Sequence, residues 1–167
     1  MNDGIRQILW GQFGGAIDMV GNAIESCSDE LWSDSSIGQP YWYLTFHTLF
    51  WLDYYLSEAP ENFKPPEPFG VTEFDPSGLM PERIYTRDEL RSYLEYGRAK
   101  CESTIRSLTD SSAMAARRFG RVEATFLELM LYNMRHVQHH AAQLNLLLRQ
   151  SGNPVPRWVA RANPSAL

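Results

Sequence analysis

Three of the chain's four histidines, His136, His139 and His140, fall within "NMRHVQHHAAQL" (133–144). The fourth, His47, sits in the apolar run "YWYLTFHTLFWLDYYL". A neutral imidazole offers a nitrogen lone pair, so histidines gathered on helices are candidate ligands of a divalent cation. His136 and His140 are four residues apart, which stacks them on one helix face within reach of a single ion. HExxH helices bind zinc for the same reason, although Val137 stands where that motif has Glu. Two imidazoles make a weak site, and His47 is the candidate third ligand. It shares a helical stripe with Tyr43, Leu44, Phe50, Trp51 and Tyr54, where a polar ring costs free energy unless it finds a hydrogen bond or a metal.

The competing reading is packing. A lone histidine in an apolar stripe is more often a hydrogen-bonded core residue, and an i, i+4 pair also arises by chance. A helical wheel separates the three downstream histidines. With Val137 at zero and 100° per residue, Leu127, Met130, Met134, Ala141, Leu144 and Leu148 span about −20° to +80°. His140 then falls near −60° and His136 near −100°, at the inner edge of the apolar face, while His139 at about −160° points away from it. Three inward histidines on two helices favour the metal. His139 reads as a surface residue or an outer-sphere partner, and Gln143, one turn beyond His140, either orients a ligand or faces water, with water favoured.

Three neutral nitrogen ligands leave one or more coordination positions open, the arrangement of catalytic rather than structural zinc sites. Imidazole suits zinc, nickel, iron or copper, and the sequence does not choose among them. An ion held without carboxylate ligands keeps its full charge and can acidify water or a thiol. Other chemistry fares worse. The serine runs lack a nucleophile elbow, and no glycine-rich phosphate loop follows a strand. Asp18, Glu25, Asp53 and Glu128 show no spacing for a carboxylate-bridged metal pair.

The elements that must position these residues are four amphipathic helical segments. They are expected at about Ile5–Glu25 (capped by Asp3), Pro40–Leu56, the stretch after Thr86 through Leu108, and Val122–Gln150. Thr86-Arg87-Asp88-Glu89 is a capping box, and Leu90, Leu94, Gly97, Cys101, Ile105 and Leu108 form the inward stripe that follows. Gly152 and Pro154 end the last segment. Between the second and third segments, residues 58–85 hold six of the ten prolines, so no helix or central strand runs through them. No strand pattern is evident. The expected fold is all-α, a four-helix bundle with a long crossover between helices 2 and 3, as one domain over residues 1–167.

A net charge of −5 argues against nucleic acid as a main partner. The compact basic patch Arg117, Arg118 and Arg121 reads as a solvated loop. Two distant cysteines, Cys27 and Cys101, do not make a stapled secreted scaffold. No signal-peptide pattern or membrane-length apolar run is present, and the expected compartment is the cytoplasm.

One histidine midway along the second helix, "HVQHHAAQL" in the last, and the closing "GNPVPRWV" together resemble the DinB/YfiT-like family of metalloenzymes. The likeness covers nearly the whole chain, with Ala142 where the family often has Gly. It implies a four-helix bundle, a three-histidine site for zinc or nickel with iron a further candidate, and frequent homodimers. Carried over by position, the metal ligands are His47, His136 and His140. Some relatives are thiol-dependent S-transferases acting with low-molecular-weight thiols such as bacillithiol or mycothiol. The expectation is therefore a divalent-metal-dependent transferase or hydrolase with a small-molecule substrate. The alternative is a non-catalytic metal-binding or stress-response interaction module.

Overall fold

The computed structural model describes residues 1–36, 38–119 and 122–162. Four long helices form the bundle: α1 (Asp3–Ser26), α3 (Tyr41–Tyr55), α4 (Arg87–Ser107) and α6 (Phe126–Gln150). Short helices α2 (Asp29–Trp32) and α5 (Asp110–Met114) lie in the connections. No helix among the described residues is long and apolar enough to cross a membrane. Helices α1 and α3 each pack on both α4 and α6, so these two pairs occupy opposite corners of the bundle. Helix α3 is apolar nearly all round, as a helix walled in on several sides must be. Its Phe46, Phe50 and Leu52 have no exposed surface.

Local chemistry sets the helix ends. The capping box at Thr86 forms as expected: Thr86 Oγ1 accepts from the Glu89 amide and Glu89 Oε2 accepts from the Thr86 amide. Asp3 is not the cap of α1. Asn2 takes that role, its Oδ1 accepting from the Ile5 amide at 2.9 Å, which leaves Asp3 free to pair with Arg6. Pro40 stands one position outside α3 rather than in its first turn.

The last long helix starts later than its periodicity suggests. Thr125 caps it by accepting from the Glu128 amide, and the residues before it form strand β2 (Val122–Thr125). This pairs antiparallel with β1 (Ala116–Phe119), in register Ala116 with Thr125 and Phe119 with Val122. The expectation of no strands is corrected here. Strands this short carry little alternation, and their backbone groups are satisfied only by each other. Arg117 and Arg118 therefore lie on a strand, while Arg121 falls outside the described residues. The ring of Phe119 anchors the hairpin against Tyr54 and Tyr55 of α3.

The crossover is held by aromatic rings. Phe69 and Tyr85 are buried and pack on Phe46 and on each other, and Phe69 also stacks on Tyr93 of α4. After α6, Gly152 adopts a left-handed φ of 71° and turns the chain back. The tail then crosses α1, with the Ala162 amide donating to the Gly11 carbonyl at 2.8 Å. A Cβ on Gly14 would stand 2.7 Å from the Ala162 Cβ, so that glycine admits the tail rather than a neighbouring helix. Both cysteines are buried and free.

Candidate metal centre

His47 projects from the middle of α3, and His136 and His140 from successive turns of α6. A buried hydrogen bond ties these helices together near the histidines. Asn133, one turn before His136 and fully buried, donates through Nδ2 to the Leu52 carbonyl of α3 at 3.0 Å. Beside it the three rings converge. His136 Nε2 lies 3.3 Å from His47 Nε2 and 3.0 Å from His140 Nε2. All three candidate ligand atoms fall within 4.8 Å of one another.

For His47 and His140, the partner on the far side of the ring decides which nitrogen faces inward. His47 Nδ1 lies 2.6 Å from Glu73 Oε2, and His140 Nδ1 lies 2.6 Å from Gln143 Oε1. Both partners are acceptors, so each Nδ1 carries the proton and each Nε2 presents a lone pair to the cluster. His136 Nδ1 is buried without a partner. Lone pairs crowded at these distances repel one another unless a proton or cation lies among them. Nitrogen donors in this arrangement suit zinc, nickel, iron or copper, so the three-histidine cluster can hold a divalent ion.

The imidazoles are electronically ready for that role. Burial, aided by the neighbouring His140 and His47, lowers the His136 pKa to about 3. Burial followed by the charge of His47 lowers that of His140 to about 4. Both are neutral at pH 7 and need not lose a proton to bind a cation. Glu73 is pulled two ways: burial alone would raise its carboxyl, but hydrogen bonding, chiefly from His47, brings it below the usual range.

These shifts carry a pH prediction for the metal-free protein. The unfolded chain binds protons on both histidines below about pH 6.5, whereas the folded chain resists until about pH 4 and 3. Stability is therefore fully present above the unfolded pKa and is lost as pH falls. From pH 7 to pH 5 the loss should reach roughly 2 kcal/mol, after discounting His140 for partial exposure. Melting curves in the presence of a chelator measure it, and a flat profile would contradict it.

The side chain of His47 keeps 26 % of its surface exposed, so the centre is reachable from solvent. Around it stand Trp51, Tyr55 and Tyr132, with Tyr55 packed edge-on against both Tyr132 and His136. A cavity of about 710 Å³ shares His136 with the centre and is lined also by Tyr132, Arg135, His139 and Trp158. Trp158 is 68 % exposed at this cavity.

His139 lies outside the triad and is exposed, as the wheel indicates. Gln143 does not simply face water: it holds His140, an i, i+3 contact that spacing alone allows. Glu73 and Asn133 escaped the sequence reading. Glu73 comes from the crossover, with no periodicity to mark it, and Asn133 resembles any polar residue on a helix. Of the four acids singled out in the sequence, only Asp53 is fully buried, and it pairs with Lys100 rather than joining the centre.

Comparison with known proteins agrees with this architecture. The family model of the DinB superfamily matches residues 12–144. The DinB-like protein YjoA from Bacillus subtilis superposes with a TM-score of 0.66 at 15 % identity, covering 89 % of this chain and 95 % of its own. A DinB-like protein from Bacillus cereus gives a TM-score of 0.64 at 17 % identity, over 86 % of this chain and 91 % of that one. No curated protein sequence matches the chain.

Proposed function

Because the chain belongs to the DinB superfamily, we propose that it is a divalent-metal-dependent enzyme, a thiol-dependent S-transferase or a metal-assisted hydrolase acting on a small molecule. The observation that carries the reading is the convergence of three Nε2 atoms on a point that solvent can reach. His47, His136 and His140 are the proposed ligands, with zinc or nickel the proposed ion. An ion so held acidifies water or a thiol and makes it nucleophilic near neutral pH. The chain's own residues supply the rest. Glu73 and Gln143 orient two of the imidazoles, and the Trp51, Tyr55 and Tyr132 rings limit water on one flank and offer an apolar surface to the substrate.

The test combines metal content with turnover. Purified protein should carry about one zinc or nickel per chain. Loaded protein should consume a low-molecular-weight thiol in the presence of an alkylating electrophile, or hydrolyse an activated ester. Chelated protein and the His47→Ala variant should do neither. Stoichiometric metal without either turnover, together with a lower melting temperature on chelation, would favour the non-catalytic metal-binding module instead. A chain that binds no metal after reconstitution would remove the proposal.

A further inference from the structure

Glu73 reaches the centre from outside the bundle. It lies on a single 3₁₀ turn, Thr72–Phe74, in the Pro-rich crossover, and its side chain is only 4 % exposed. One oxygen, Oε2, meets two ring nitrogens of α3: His47 Nδ1 at 2.6 Å and Trp51 Nε1 at 2.9 Å, the latter donating. His47 and Trp51 are one helical turn apart, so the carboxylate spans a single stripe of α3. The neighbouring Phe74 ring seats the turn against Phe50, Trp51 and Tyr54. The other oxygen, Oε1, is buried, and the Tyr43 hydroxyl is the further group that hydrogen-bonds the carboxylate. A buried carboxylate held by neutral donors alone is costly unless positive charge lies close by. A cation on the far side of the His47 ring would provide that charge, relayed through the imidazole.

We propose that Glu73 is a positioning residue for the metal centre, whose contact with His47 makes metal loading and the seating of the 71–75 turn interdependent. This rests on the three-histidine reading above. The Glu73 carboxylate holds the proton on His47 Nδ1 and aims Nε2 at the cluster. By linkage, a carboxylate that strengthens metal binding is itself held more firmly when the metal is bound. The 71–75 turn is then a segment whose grip on α3 depends on what the histidines hold.

The experiment uses the full chain and zinc alone. Zinc affinity is measured by chelator competition for the wild type and for Glu73→Gln, which keeps the side chain's size and one acceptor but removes the charge. The expected result is an affinity about 10- to 100-fold weaker in the variant. In parallel, hydrogen exchange of amides 71–75 is followed in the wild type with and without zinc. Zinc should slow exchange there, and the slowing should be lost in Glu73→Gln. Equal affinities would overturn the proposal while leaving the metal site standing. Unchanged wild-type exchange on zinc binding would overturn it too, even if the variant did not fold. A wild type that binds no zinc would overturn the three-histidine reading first and this proposal with it.

Discussion

Replacing His136 with alanine is expected to weaken zinc or nickel binding by at least about a hundredfold, beyond the 10- to 100-fold that loss of an outer-sphere partner brings. His136 is the ring that joins the cluster: its Nε2 is within 3.3 Å of both other Nε2 atoms. Without it the remaining pair comes from two different helices, α3 and α6. The i, i+4 geometry that pre-organises two ligands is then gone. In the metal-free protein the same change should be mild. It removes a half-buried ring whose buried Nδ1 is unsatisfied, and that gain offsets part of the cost of the space it leaves. His139→Ala is the control, because His139 is exposed and outside the triad, and it should bind metal as the wild type does. Chelator competition and elemental analysis read both variants. Retention of wild-type affinity by His136→Ala would refute the assignment of that ligand.

Lys100→Met should destabilise the fold by about 3–5 kcal/mol, the usual cost of removing one partner from a buried ion pair. Asp53 on α3 is fully buried, and its two oxygens have different partners. Oδ1 takes the Lys100 ammonium at 2.5 Å and Oδ2 takes the Tyr93 hydroxyl at 3.1 Å. Lys100 spends its other bonds on the Asp53 carbonyl and Ser57 Oγ, so the whole cluster ties α3 to α4. Burial raises the Asp53 carboxyl and the lysine opposes that rise. With the lysine gone, the folded-state pKa climbs further above the unfolded value. The penalty is then largest at neutral pH and shrinks on acidification, as the carboxyl becomes neutral. For a chain of this size the expected drop in melting temperature is about 6–20 °C. The double variant Asp53→Asn/Lys100→Met should recover much of it, since no charge is left unpaired. A single variant with an unchanged melting temperature would show that the pair contributes nothing.

The Thr86 capping box, the Gly152 turn and the placement of His136 and His140 on one helix face were legible in the sequence. Each depends on a few neighbouring residues and on the fixed 100° step of a helix. The four-helix plan was legible too, because its apolar stripes repeat over several turns. Hairpin β1–β2 was not, since a strand's hydrogen bonds lie in its partner and four residues hold too little alternation to announce one. The start of α6 moved with it, from Val122 to Phe126.

For the centre itself, the residue types were determined by the sequence and their meeting was not. His47 could be named as the third ring, but 89 positions separate it from His136. Whether their nitrogens meet depends on how far α3 slides along α6. Side-chain packing decides that register, the Asn133–Leu52 hydrogen bond ties the helices together there, and neither has a local signature. Glu73 is the clearest case. A carboxylate in a Pro-rich connection looks solvated in the sequence, because a loop obeys no period that would show which way its side chains turn. Only the folded chain, by seating Phe74 among the aromatic rings of α3, places that carboxylate on the histidine.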